Sequence, residues 1–274
     1  MALAARNLLR GLSFPLRRHL RASFSTVGGT IPEIQATEGV DWVKIYDAQV
    51  PVVLRGLVGD WPAVSDEQHS WGELQQLKAR IAGVEDIAVR IEVGRHYMHE
   101  DMQQTHVGLG SLLDFFSLPP TPDAPRVYWA QFELQEEQLP AMCADIRTPL
   151  LCSTGKQVLY KRNIWFGGAG GSESPCHFDP FQNVLCQVLG EKEVAVFPPH
   201  CADSLYPAIG TPQPNTSAVD VGAPDFRRFP LYAEAQKAGQ RAVLRAGDAL
   251  FIPYKHWHWC STQGVSASVN YWWL

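Results

Sequence analysis

SPCHFDPFQNVLCQVLGEK, residues 174–192, decides how the rest of this chain is read. At its core is His177-x-Asp179. In an extended strand, residues i and i+2 project to one face, so an imidazole and a carboxylate would enter one cavity side by side. That pair supplies two of the three ligands of a 2-His-1-carboxylate facial triad, which leaves coordination positions open on Fe(II). Taken alone, H-x-D is also the pattern of a surface histidine beside a turn aspartate.

The third ligand has to come from a distant strand that returns beside the first. Residues 247–258 read GDALFIPYKHWH: a Gly-Asp turn, an apolar strand, a proline that ends it, then an aromatic-flanked histidine. His256 and His258 share a face in an extended chain, so spacing leaves both open.

With these blocks in view, the chain resembles the Jumonji-C (JmjC) or cupin-like Fe(II)/2-oxoglutarate oxygenases, nearest the factor-inhibiting-HIF type of protein hydroxylase. The resemblance covers residues 127–274 through SPCHFD, FQNVLCQVLGEKEVAVFPP, SLYP, AGDALFIPYKHWHW and SASVNYWW, in family order. An early PVVLRG and a GDWP add to it. In the family pattern the metal histidine lies five residues after the proline, which selects His258 over His256. The resemblance implies Fe(II) on His177, Asp179 and His258, with 2-oxoglutarate as cosubstrate and O₂ as oxidant. It also implies that Lys192 pairs with the distal carboxylate of 2-oxoglutarate, helped by Ser174 (where the family usually has Thr) and Tyr128. Asn183 and Asn270 would face the cosubstrate. A lysine beside Glu191 and Glu193 would ordinarily be solvated.

The implied fold is mainly β: a double-stranded β-helix (jelly roll, cupin-type) of about eight core strands with flanking N-terminal α/β elements. The implied activity is hydroxylation of a side chain of a protein or peptide substrate. An RNA-modifying hydroxylase of the same chemistry, N-methyl-lysine demethylation and a non-catalytic cupin-like binding module are the alternatives. The sequence stops at Leu274, directly after the last strand, without the C-terminal helices by which some relatives dimerise, so a monomer is expected.

Residues 1–24 carry five arginines among leucines and phenylalanine, and no acidic residue precedes Glu33. That composition is a mitochondrial transit signature, with a plastid or cytoplasmic protein as alternative; its apolar runs are too short for a membrane span. Without this segment the chain has 18 Lys+Arg against 28 Asp+Glu, a net charge of −10. No basic stripe is visible, which favours a protein or small molecule over nucleic acid. The six cysteines include no C-x-x-C and read as reduced thiols.

The remaining organisation reads as α/β elements over 25–125 and the barrel over 126–274. A helix is predicted over 71–82, a strand over 87–93, a short helix over 110–117, strands over 127–134 and 157–166, and a helix over 136–146. The glycines of 167–171 read as a flexible bend, and 208–230 as a long loop over the barrel mouth. Ser266, Ser268 and Asn270 alternate with apolar neighbours, a polar inner face backed by an apolar outer one. His96, His99 and His106 are read as loop histidines on the surface or at the substrate, and Trp257, Trp259, Trp272 and Trp273 as packing.

Overall fold

A computed structural model describes residues 27–36, 39–119, 121 and 124–274. The arginine-rich segment 1–24 lies outside the described residues. Among those described, no helix is long and apolar enough to cross a membrane.

The N-terminal part runs β1 (Gly29–Thr30), β2 (Glu33–Gln35), α1 (Trp42–Ala48), β3 (Val52–Arg55), α2 (Pro62–Ser65) and α3 (Leu74–Arg80). Then come β4 (Ala88–Val93), β5 (Gln103–Gly108), α4 (Leu109–Phe116), β6 (Val127–Glu133) and α5 (Pro140–Ala144). The barrel follows as β7 (Leu159–Gly167), β8 (Ser172–Phe178), β9 (Gln182–Leu189) and β10 (Glu191–Phe197). After a long loop it closes with α6 (Tyr232–Ala238), β11 (Gln240–Arg245), β12 (Ala249–Ile252), β13 (Trp257–Thr262) and β14 (Ser266–Trp273).

Among the described residues these strands form two sheets. One has the order β1-β11-β10-β13-β8 and the other β2-β3-β12-β9-β14-β7-β6-β4-β5. The eight strands β7–β14 divide four and four between the sheets, in the interleaved order of a jelly roll. The mainly β fold expected from the sequence is therefore the observed one. The N-terminal strands do not form a sheet of their own. They extend both edges of the larger sheet, and β1 extends the smaller.

The helices are shorter than the periodicity suggests. The predicted 71–82 helix is regular only over α3, and Trp71 is fully buried ahead of it, its indole N–H donating to Asp145 at 2.9 Å. The predicted 136–146 helix shrinks to α5 because Pro140 has to stand at its first turn. The glycine run is packed, not flexible: a Cβ on Gly171 (φ +76°) would meet the Thr262 carbonyl oxygen. Gly190 (φ +70°) is held the same way against the Val265 carbonyl in the β9–β10 turn that delivers Lys192.

One carboxylate ties the N-terminal part to the barrel. Asp248, in the Gly-Asp turn before β12, accepts from the backbone N–H of Gly56 (3.2 Å) and of Arg245 (3.0 Å), and pairs with the Arg55 guanidinium. Arg55 in turn pairs with Glu33 of β2. Removing the acceptor would leave two amides unsatisfied and Arg55 with only Glu33 and the Val243 carbonyl, so Asp248→Ala is expected to cost about 2 kcal/mol. A lowered urea midpoint with unchanged m-value checks this.

Candidate metal and cosubstrate site

The barrel interior is built by alternation. His177 lies next to last in β8 and His258 second in β13, directly opposite each other in the ladder. Their rings sit 4.3 Å apart between centroids. Asp179 falls one residue beyond β8, in the turn toward β9, where its carbonyl accepts from Lys255 N–H at 3.1 Å. Its carboxylate still enters the space between the two rings: Oδ1 is 4.0 Å from His177 Nε2, and Oδ2 is 3.5 Å from His258 Nε2.

Each imidazole has its Nδ1 at a backbone carbonyl, His177 at Pro175 (2.8 Å) and His258 at His256 (3.1 Å). With the proton there, both Nε2 lone pairs face the cavity, the arrangement metal-ligating histidines need. Burial first, and His177 second, push His258 down to about 4, against the pull of Asp179, so it is held as the neutral ligand form. All three ligand atoms lie within 4.8 Å of one another. Two metal–ligand bonds of about 2.1 Å reach across at most about 4.2 Å, which covers the 4.0 and 3.5 Å separations from Asp179, and the donor set is that of a facial triad. The residues fit Fe(II).

Asp179 is held by two further donors, Trp272 Nε1–H at 3.1 Å and Asn183 Nδ2–H at 3.2 Å, both on Oδ2. Asn183 accepts in turn from Asn270 (3.0 Å), whose Oδ1 receives Trp165 Nε1–H at 2.8 Å. Asn183 and Asn270 therefore brace the metal carboxylate while lining the pocket.

Lys192 is 2 % exposed and points into that pocket, while Glu191 on the adjoining position is exposed. The solvated lysine that its acidic neighbours suggest is not what the chain builds. Among the described residues no carboxylate pairs with Lys192, and burial pushes its ammonium down to about 8. Ser174 and Tyr128 line the same pocket, the phenol pushed up by burial with hydrogen bonding to Ser174 opposing. All eight residues singled out in the sequence thus line one pocket with Trp165, Leu185, Ile252 and Cys260.

A vestibule of about 270 Å³ opens from it, sharing Tyr128, Trp165, Ser174, His177 and Asp179. Gln213, Asn215 and Thr216 of the long loop form part of its wall, and Tyr97 meets Thr216 at 3.2 Å between hydroxyl oxygens. Glu92 of β4 also faces it; burial pushes this carboxyl up, against Arg90, and among the described residues no cation pairs with it.

His256, passed over for His258 in the sequence, lies in the turn before β13 and outside the triad. The readings of Trp272, His96 and His106 need correction. Trp272 is not only packing, since its indole N–H donates to the Asp179 carboxylate; its place on the face of Ser266, Ser268 and Asn270 was visible in the alternation. His96 is buried, and His106 is on strand β5. His96, Glu173 and Asp220 could also gather around a cation. Their carboxylates are already engaged, Glu173 by Arg95, Arg126 and the Trp259 indole, and Asp220 by Arg95. Burial would raise Glu173, but His96 and the guanidiniums hold it below the usual carboxylate range.

A family profile described as "Cupin-like domain" matches residues 40–274. "Lysine-specific demethylase 8" of Danio rerio is 36 % identical over 83 % of this chain and 54 % of its own length. "Lysine-specific demethylase JMJ30" of Arabidopsis thaliana is 34 % identical over 83 % and 51 %, and "Jumonji C domain-containing protein 5" of Drosophila melanogaster 32 % over 89 % and 59 %. The chain spans about half the length of the curated relatives it matches. These relatives support a JmjC oxygenase and give no support to the narrower factor-inhibiting-HIF type.

The depressed His258 sets a pH dependence. Its folded pKa lies below the ordinary 6.5, so the unfolded chain binds the extra proton first as pH falls. Stability of the metal-free protein is therefore complete above about 6.5 and declines toward pH 4, by on the order of 3 kcal/mol. Denaturant unfolding from pH 7 to 4 checks this, and His258→Gln should flatten the slope.

Proposed function

The chain belongs to the cupin-like JmjC family, whose enzymes use Fe(II) and 2-oxoglutarate, and on that footing we propose that it hydroxylates a side chain of a protein substrate. The observation that carries this reading is Lys192. A buried ammonium with no counter-ion among the described residues, in the same pocket as three converging metal ligands, is costly alone and gains when an anion completes it.

His177, Asp179 and His258 would hold the iron, and Lys192 would hold the distal carboxylate of 2-oxoglutarate with the hydroxyls of Ser174 and Tyr128. Bound there, iron, 2-oxoglutarate and O₂ supply oxidative decarboxylation to succinate and CO₂, coupled to oxygen insertion into a substrate C–H bond. Trp272 and Asn183 keep the Asp179 carboxylate turned to the metal, and the Nδ1 contacts fix the tautomer and the aim of both imidazoles. Ser174 lacks the methyl of the usual threonine, which leaves this end of the cosubstrate pocket less tightly packed. Leu185 and Ile252 present apolar surface that excludes water.

Glu92 supports a cationic substrate side chain, because a half-buried carboxylate in the vestibule gains from a lysine ammonium that reaches it. The relatives named lysine-specific demethylases favour the same residue and a second outcome. Hydroxylation of an N-methyl carbon ends in loss of formaldehyde, whereas hydroxylation of a chain carbon leaves the oxygen in place. The acidic body, at −10 without residues 1–24, weighs against RNA. The arginine-rich segment 1–24 points to the mitochondrial matrix as the compartment.

Succinate release from 2-oxoglutarate with added Fe(II) is expected for the wild type and is lost in His177→Ala and Asp179→Ala; release that survives both would refute the assignment. Cosubstrate affinity should fall as pH rises through about 8, where free Lys192 loses its proton. Calorimetry should then show proton uptake on binding above that pH, absent in Lys192→Met.

Glu92→Gln is expected to raise KM for lysine-bearing peptides about tenfold or more, with substrate-free 2-oxoglutarate turnover unchanged. Peptide mass separates the two outcomes, a gain of one oxygen against the loss of a methyl group. An unchanged KM would remove Glu92 from substrate recognition.

A further inference from the structure

A stack of three aromatic rings joins the metal carboxylate to the surface. Trp272, 7 % exposed, donates its indole N–H to Asp179 Oδ2 at 3.1 Å. Its ring stacks on Phe181, 5.8 Å between centroids and 21° between planes. Phe181 stacks on Tyr160 at 4.3 Å and 15°. Tyr160 is 51 % exposed at the start of β7. Nothing in the core requires this path, because Trp273, the neighbouring indole, is buried on the opposite face of β14 in the main apolar cluster.

We propose that Trp272, Phe181 and Tyr160 form an electron-transfer path that discharges the metal centre when oxygen has been activated and no substrate C–H bond is in reach. The proposal rests on the iron and 2-oxoglutarate reading of the site. The order of the rings suits it. The indole touching the ligand sits against a carboxylate, and the negative charge makes it easier to oxidise. Phe181 is a bridge between two oxidisable rings and need not itself be oxidised. The phenol stands at the wet end, where its proton can leave with the electron. The Lys161 ammonium, 5.6 Å from the Tyr160 ring centroid, disfavours a radical cation there and so favours proton loss.

The other aromatic pair at the site lacks these properties. Trp165 and Tyr128 are 6.0 Å apart, and the phenol is buried against Ser174 beside the cosubstrate pocket, away from the protein surface. An oxidising equivalent sent that way would be trapped beside the cosubstrate.

The balance is as follows in each pass. One electron leaves Trp272 for the metal centre, one electron from Tyr160 refills Trp272 across Phe181, and the phenolic proton passes to water. The Tyr160 radical then takes an electron and a proton from an external reductant of the enediol or thiol class, which ends as its own radical. Two passes, with two protons drawn from solvent, dispose of both oxidising equivalents as water and return iron to the ferrous state.

The test uses full-length protein loaded with Fe(II), 2-oxoglutarate and O₂ without peptide, in wild type, Tyr160→Phe and Phe181→Leu. Freeze-quenched samples are read by electron paramagnetic resonance, and oxidised residues are mapped by mass spectrometry. A tyrosyl signal and oxidation centred on Tyr160 are expected in the wild type. Both should be lost in Tyr160→Phe and diminished in Phe181→Leu, with damage moving to Trp272 and the ligands and severalfold fewer turnovers before inactivation. Equal inactivation and the same damage map in all three proteins, with succinate still formed, would overturn the path and leave the oxygenase reading intact. If no succinate forms, the oxygenase reading fails, and Fe(II) with hydrogen peroxide decides the path by the same map: Tyr160-centred oxidation sustains it, damage confined to the ligands overturns it.

Discussion

Strands β8, β9, β12, β13 and β14 are buried along most of both faces, so a polar side chain they turn inward must bond another one or wait for a ligand. Most are answered within the protein. Gln187 bonds Ser266 and Ser268, at 2.8 and 2.6 Å, and Asn270 links Asn163, Trp165 and Asn183. Among the described residues that line the pocket, two places are left over. One is the set of imidazole Nε2 atoms around Asp179, and the other is the Lys192 ammonium. The same satisfaction rule that stabilises the upper and lower parts of the interior therefore isolates the groups that the fold cannot complete alone.

Their positions depend on parts of the chain that never reach the site. Arg55 and Asp248 fasten the first long strand of the larger sheet to the turn that opens β12, and β12 pairs with β9 through Ile252 and Asn183. Asn183 then bonds Asp179. On the other side, Glu173 is clamped by Arg95, Arg126 and Trp259 one residue before Ser174. Each bracing carboxylate is embedded in several donors, which is the condition under which buried charges hold geometry instead of dissipating stability.

Much of this was legible in the sequence because jelly-roll strands obey a period of two. The inward His177 and the inward Ser266, Ser268 and Asn270 follow from it, whereas Asp179 stands in the turn one residue past β8 and the Gly-Asp turn is read from turn chemistry. The same period reaches Trp272, which was missed because tryptophan reads as core by size and its indole N–H is overlooked as a donor. Choosing His258 over His256 required the family pattern, since the point where β13 begins is set by pairing with β8 and not by local residues. Lys192 was opaque for a different reason. Its neighbours argue for solvent, and only the Gly190 turn, fixed against Val265, determines which face it takes. The buried state of His96 depends on Glu173, far along the chain, and no local spacing announces such a contact.

The metal end and the cosubstrate end of the pocket are electrostatically opposite, and that difference constrains how the site is filled. Burial drives both His258 and Lys192 toward neutrality, yet the consequences differ. A neutral imidazole is the form a metal needs, so desolvation prepares that end. A neutral amine is the wrong form for binding a carboxylate, so desolvation opposes the other end until the anion arrives. A dicarboxylate that spans the pocket engages both ends, and above about pH 8 its gain at Lys192 includes the restored charge as well as the contact. A neutral or shorter ligand would engage only the metal end, so the buried lysine selects for length and charge together.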